Sequence, residues 1–259
     1  MKKRIQLSAV VAILLSQIIP AQAQTFNSVT HIHSVKTFGE RILMGTHEGL
    51  FEFISQNNMS PIGKDPFDVM GLDADGTSLF ASGHPSKVSK LPNPLGLLRS
   101  TDGGKTWKSI SLLGQVDFHS LEVSGNQIYG GNATEGLLMY SKNLGKSWKK
   151  LGAKEFSDIA ILSSTPGKAI ALQSGKLLKT NDTFKVTTEL KFKFPVSAVE
   201  SIGKELYIAA QDKVYRSPDQ GSSWKLFKSF KGEIADISAS SKLLAVVVGG
   251  EVFTAKLTK

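Results

Sequence analysis

The chain has 259 residues and no cysteine, with 31 lysines and arginines against 22 acidic residues, a formal charge of +9 at neutral pH. The lack of cysteine excludes a disulfide framework and thiolate metal clusters. The basic residues are scattered, with no nucleic-acid motif among them, so the excess reads as a solvated surface and no nucleic-acid partner is expected.

Lys2, Lys3 and Arg4 precede an apolar run from Leu7 to Ile19, and Ala21-Gln22-Ala23 supplies a small-x-small cleavage site. This is the pattern of a cleaved signal peptide over residues 1–23, which predicts a periplasmic or secreted protein. The run is shorter than the roughly 20 residues a bilayer requires, so no membrane span is expected. Cleavage after Ala23 leaves 28 basic against 22 acidic residues over 236 residues, a charge of +6. That length suits one domain, residues 24–259, expected as a monomer.

From residue 31 onward, short β-branched, aliphatic and aromatic runs alternate with Gly, Asn and Asp turns, the pattern of strands. Six units align on first strands at His31, Asp68, Asp117, Asp158, Ser197 and Asp236, in steps of 37, 49, 41, 39 and 39 residues. Second strands follow as RILMGT, SLFASG, NQIYGG, KAIALQ, ELYIAA and LLAVVVG, and third strands as GLFEF, GLLRS, GLLMY, KLLKT, KVYRS and EVFTA. About 40 residues per four-stranded unit is the period of propeller blades, so an all-β, six-bladed β-propeller is predicted. The last unit ends after its third strand, and TFNS at 25–28 is the candidate to cover that edge.

Between third and fourth strands one motif recurs. RSTDGGKTW carries Ser100, Asp102, Gly104, Thr106 and Trp107; YSKNLGKSW repeats it with Ser141, Asn143, Gly145, Ser147 and Trp148; YRSPDQGSSW repeats it with Ser217, Asp219, Gly221, Ser223 and Trp224. A worn copy, LKTNDTFKV, keeps Thr180 and Asp182 but not the tryptophan. A short carboxylate or amide bonding its own turn, a glycine at positive φ and a ring buried beside the hairpin make a structural device.

The motif resembles the Asp box of BNR-repeat proteins, which include sialidases, sortilin-type receptors and photosystem assembly factors. HIHSV, GTHEGLF, FASGHP and LPNPLGLLRSTDGGKTW narrow the resemblance to exported bacterial BNR-repeat proteins described as glycosyl hydrolase-like. The resemblance implies the propeller fold; the hydrolase label is inherited with the fold and implies no activity by itself.

The boxes fall on the face opposite to where first strands begin, so the chemistry is expected at the other end of the axis. All five histidines belong there: His31, His33, His47, His84 and His119. Asp68, Asp117, Asp158 and Asp236 ring the channel mouth, and two residues further along His33, Met70 and His119 stand side by side if the strands keep period two. Three readings stay open. The polar ring satisfies backbone and water. Or His33, His119, Met70, His31 and Asp117 ligate a metal ion, copper or zinc, with His31, His47, His84 and Asn93 binding a ligand. Or two of Asp68, Asp117, Asp158 and Asp236 hydrolyse a glycan. The partner is accordingly a metal ion, a glycan or a protein. A sialidase is not expected: its arginine triad would have to come from Arg41, Arg99 and Arg216, which lie toward the box face. The insertion at 84–96, HPSKVSKLPNPLG, is expected to form a lip over the histidine face, offering His84, Lys87, Lys90 and Asn93.

Overall fold

The computed structural model describes residues 31–162 and 165–257. The expected signal peptide and the TFNS segment lie outside the described residues. Among the described residues every regular element is a strand, arranged in six antiparallel sheets, five of four strands and a last one of three. The inner strands are Ile32–Phe38, Asp68–Asp75, Phe118–Ser124, Asp158–Ile161, Ala198–Ile202 and Ile234–Ala239. Each contacts the inner strand of the next sheet, and the last contacts the first. The sheets therefore close into a six-bladed β-propeller, as the spacing predicts.

Burial between neighbouring blades holds the ring. Leu43 and Leu50 of blade 1 pack against Phe67, Val69, Leu72 and Leu79 of blade 2. The closing seam packs Val35, Ile42, Met44 and Phe51 against Ala245 and Val252 of blade 6. There the third strand, Glu251–Lys256, has no fourth strand beside it among the described residues. Gln56 of blade 1 fills one position of that edge: its amide nitrogen donates to the Val252 carbonyl at 2.8 Å and its oxygen accepts from the Val252 amide at 3.4 Å.

Near the axis, adjacent inner strands splay apart and share no ladder, which leaves backbone amides needing acceptors. Polar side chains from neighbouring blades supply them. Val123 N–H donates to Asp73, Ile161 N–H to Glu122 at 3.3 Å, Val199 N–H to Asp158 at 2.8 Å, and Ala239 N–H to Glu200 at 3.4 Å. Thr37 N–H donates to Ser238 Oγ at 3.0 Å. Lys36 sits among these carboxylates, with its Nζ 3.4 Å from Asp73 and 3.7 Å from both Glu122 and Glu200.

The Asp boxes hold their own turns. In blade 2, Gly104 N–H donates to Ser100 Oγ at 2.9 Å, while Thr106 donates its amide at 3.0 Å and its hydroxyl at 2.6 Å to Asp102. These bonds hold the Asp102 carboxyl down at about 2, and Ser223 and Ser217 do the same for Asp219. Gly145 shows why the box needs glycine: φ is +78°, and a Cβ would lie 2.2 Å from Leu97 Cδ2. The worn box resolves the same crowding in reverse. Phe184 takes the glycine position at φ +59° and fills the space itself, packed against Tyr129 and Phe156 at centroid distances of 5.5 and 4.8 Å. Burying that ring replaces the missing tryptophan.

Candidate functional site

At the end of the axis where the first strands begin, a funnel of about 480 Å³ opens, lined by His33, Met70, His119, Asp158, Ser197 and Asp236 and floored by Lys36 and Glu122. Its histidines are concentrated on blades 1–3, where the inner strands depart from regular pairing, as the inner strand of blade 6 also does at Ala235. In blade 1, Ile32 pairs with Thr46 and Ser34 with Gly45, so His33 is an extra residue. In blade 3, Ser120 pairs with Gly131 and Phe118 with Asn132, which leaves His119 extra. Blade 2 carries one extra residue across Met70-Gly71. A β-bulge of this kind re-aims a side chain, so simple period-two alternation does not describe these three strands. The inner strands of blades 4 and 5 pair with their second strands without a break.

The bulges bring the histidines into two groups instead of one row. In the first, His33 of blade 1, His47 from the turn after the second strand of blade 1, and Asp68 of blade 2 direct ligand-type atoms at one point. His33 Nε2 lies 3.3 Å from His47 Nδ1 and 3.3 Å from Asp68 Oδ1, and His47 Nδ1 lies 2.8 Å from Asp68 Oδ2. In the second, one blade on, Asp117 Oδ2 lies 2.8 Å from His119 Nε2 and 3.4 Å from His84 Nε2. Within each group the donor atoms fall inside 4.8 Å of one another.

A tetrahedral ion with bonds of about 2.0–2.1 Å needs ligand atoms roughly 3.3–3.4 Å apart, the spacing these edges approach. Both aspartates also keep their Oδ1 buried without a hydrogen bond. Asp68 Oδ1 has only the His33 contact, which is not aligned as one. Either triad could therefore hold a cation. His31 rests against the first, its ring 5.0 Å from that of His47. Burial depresses His33 below the ordinary imidazole value, against the pull of Asp68 and helped by the neighbouring imidazoles of His47, His31 and His119. A neutral imidazole is the ligating form.

Met70 lines the funnel between the triads. Asn93 accepts a hydrogen bond from His84 Nδ1, 2.8 Å away. The rest of the insertion does not roof the channel. Pro85, Val88, Leu91 and Leu95 turn down the flank of blade 2 and, with Phe67 and Trp107, wall an apolar cavity of about 570 Å³ that reaches the Asp box. The cause is apolar content, since burying Leu95 against Phe67 and Leu98 draws the loop off the polar face.

Asp158 and Asp236 stand on the other wall. Loss of water drives both carboxyls up, Asp158 to about 7 against the Val199 amide and Lys36. Asp158 thus holds a proton in the folded chain that an unfolded chain releases near pH 4. Its contribution to stability is full below pH 4 and is lost as pH rises through about 7. Asp73, pushed by burial to about 6, acts in the same direction. The protein is expected to melt at a higher temperature at pH 6 than at pH 8. In Asp158→Asn, calorimetry should find that gap narrowed; an unchanged gap would remove Asp158 as its source.

Arg41 pairs with Glu52 at 2.8 Å, Arg99 donates to Ser78 at 2.8 Å, and Arg216 pairs with Glu205. Each guanidinium is engaged away from the funnel, so no arginine triad faces it. The sequence places His47 and His84 at the mouth as ligand-binding residues but outside the metal-ligating set. The signal that joins them is the repeat itself, since each follows a second strand and meets the aspartate at the start of the next blade.

The BNR/Asp-box repeat model matches residues 98–109. No curated protein sequence matches the chain. A gluconolactonase from Xanthomonas campestris superposes with a TM-score of 0.63 at 9% identity, covering 89% of this chain and 87% of that one. YCF48 bound to D1 peptide superposes at 0.51 and 14% identity, covering 91% and 81%. An ancestral GH74 enzyme superposes at 0.51 and 13% identity, covering 86% of this chain and 36% of that one. Enzymes and a binding protein share this architecture, and at such identities the likeness is one of fold. The chain is a β-propeller built with BNR/Asp-box repeats.

Proposed function

We propose that the protein is an exported metal-binding propeller whose histidine face holds a late first-row ion, copper or zinc, at each of the two triads, its own or one carried by a partner. The observation that carries this reading is the convergence of two imidazoles and a carboxylate twice, at 2.8–3.4 Å, with the second carboxylate oxygen buried and unbonded each time. Two imidazoles with a carboxylate suit ions high in the Irving–Williams order, and three protein ligands leave a coordination position open. The test is calorimetric titration of copper and zinc into the mature protein and into a His33→Ala/His119→Ala variant. Two ions per chain are expected, both lost in the variant. No binding by the wild type sinks the proposal.

Glycan hydrolysis on the opposite wall is the second reading. Asp158 is half-protonated near neutrality and Asp236 is close enough to raise it further. Against this, both Asp158 oxygens accept backbone amides, from Ile159 at 2.9 Å and Val199 at 2.8 Å, as an inter-blade tie would. Glycan turnover that Asp158→Asn or Asp236→Asn abolishes would favour hydrolysis over metal binding.

A further inference from the structure

The two triads differ in what stands behind the histidine contributed by the second strand. Behind His84 is an amide acceptor, Asn93 Oδ1, 2.8 Å from Nδ1. Beside His47, outside its triad, is another ring, His31, at a centroid distance of 5.0 Å. An amide oxygen can only accept, so it requires a proton on His84 Nδ1 and leaves Nε2 as the nitrogen facing Asp117 and His119.

Asn93 is solvent-facing, but the chain that carries it is tied down on both sides. Leu95 N–H donates to the Gly83 carbonyl at 2.9 Å, and Gly114 N–H donates to the Pro94 carbonyl at 2.7 Å. Leu95 is fully buried, and Gly114 lies so close to Pro92 that an added Cβ would be 3.0 Å from the ring. Prolines on either side of Asn93 fix φ as well.

We infer that Asn93 is a positioning residue for the blade 2/3 triad: it holds the His84 ring with Nε2 turned inward, and the insertion at 84–96 exists in part to carry it. The inference rests on the metal-binding reading. When an ion binds, it replaces whatever proton Nε2 carries, while the Nδ1 proton and its bond to Asn93 persist. Partners of this kind behind a ligating histidine typically change metal affinity by about 10–100-fold.

The test uses Asn93→Leu, which keeps the size and removes the acceptor, and Asn93→Asp, which keeps an acceptor. In zinc titrations Asn93→Leu should weaken one of the two binding steps by about 10–100-fold and leave the other unchanged, with Asn93→Asp recovering most of the loss. Imidazole ¹⁵N spectra, assigned against His84→Gln, should show the His84 Nδ1 proton in both the ion-free and zinc-loaded wild type. A bare Nδ1 in the ion-free wild type overturns the inference, as does an Asn93→Leu variant, folded by its thermal melt, whose two steps are unchanged or equally weakened. Failure of the wild type to bind zinc overturns the metal reading and the affinity claim with it. The spectrum of ion-free protein still decides whether Asn93 sets the ring.

Discussion

Lys36→Met is expected to lower stability by roughly 3–5 kcal/mol at pH 8, the range for stranding buried charges. Lys36 reaches Asp73, Glu122 and Glu200 at 3.4–3.7 Å, and no other cation lies within ion-pairing distance of them among the described residues. Burial alone would lower its pKa, yet Asp73, Glu200, Glu122 and Asp158 together hold it well above the ordinary lysine value. Removing the ammonium leaves these carboxylates facing one another. They cannot simply be lost as ties, because Asp73, Glu122 and Glu200 each accept an amide from the next blade. Protonation is their escape, and burial already raises Glu122. The destabilisation should therefore shrink at pH 5, and Lys36→Met/Glu200→Gln should recover part of it at pH 8. Urea unfolding at both pH values is the measurement, and a loss independent of pH would assign Lys36 a packing role only.

His47→Ala and His84→Ala are each expected to cost one bound ion of two, and the double variant both. The expectation follows from the grouping, since His47 converges with Asp68 and His33, while His84 converges with Asp117 and His119. At a hundredfold excess over Kd each ion stabilises the fold by about 2.7 kcal/mol. For a domain of this size that is roughly 5–10 °C in Tm, removable by chelator. Melts with and without zinc should show the increment halved in each single variant and gone in the double. A single variant that loses both ions would mean one shared centre instead of two.

The fold was legible because its period is written in strand and turn chemistry. RILMGT and ELYIAA are strands at the residues expected, Arg41–Thr46 and Glu205–Ala210. The site was less so. His33, Met70 and His119 were read at period two along regular strands, and the strands are bulged at those residues. A bulge leaves little trace in one sequence, because it depends on which partner amide is skipped. Gly45, Gly71 and Gly83 mark the crowding afterwards: a Cβ on Gly83 would lie 1.8 Å from the Asp68 carbonyl, and one on Gly45 2.5 Å from Ser34 Oγ. The polar residues of the insertion suggest a lip, while burial of Leu95 decides where it packs. Lys36 drew no attention in the sequence, because its meaning lies wholly in carboxylates 37 to 164 residues away.

The extra residues also bear on how unlike chemistry arises in a molecule of like parts. A ring of repeats offers equivalent positions around its axis, so a side chain suited to one blade has five counterparts. Insertion of a single residue takes a strand out of that equivalence without altering its neighbours' ladders. Blades 4 and 5, with Ala160 and Val199 at the same level, keep an unbroken pairing of inner and second strands. Two blades are then left to preserve the regular scaffold while the four bulged ones, blades 1, 2, 3 and 6, are able to diversify.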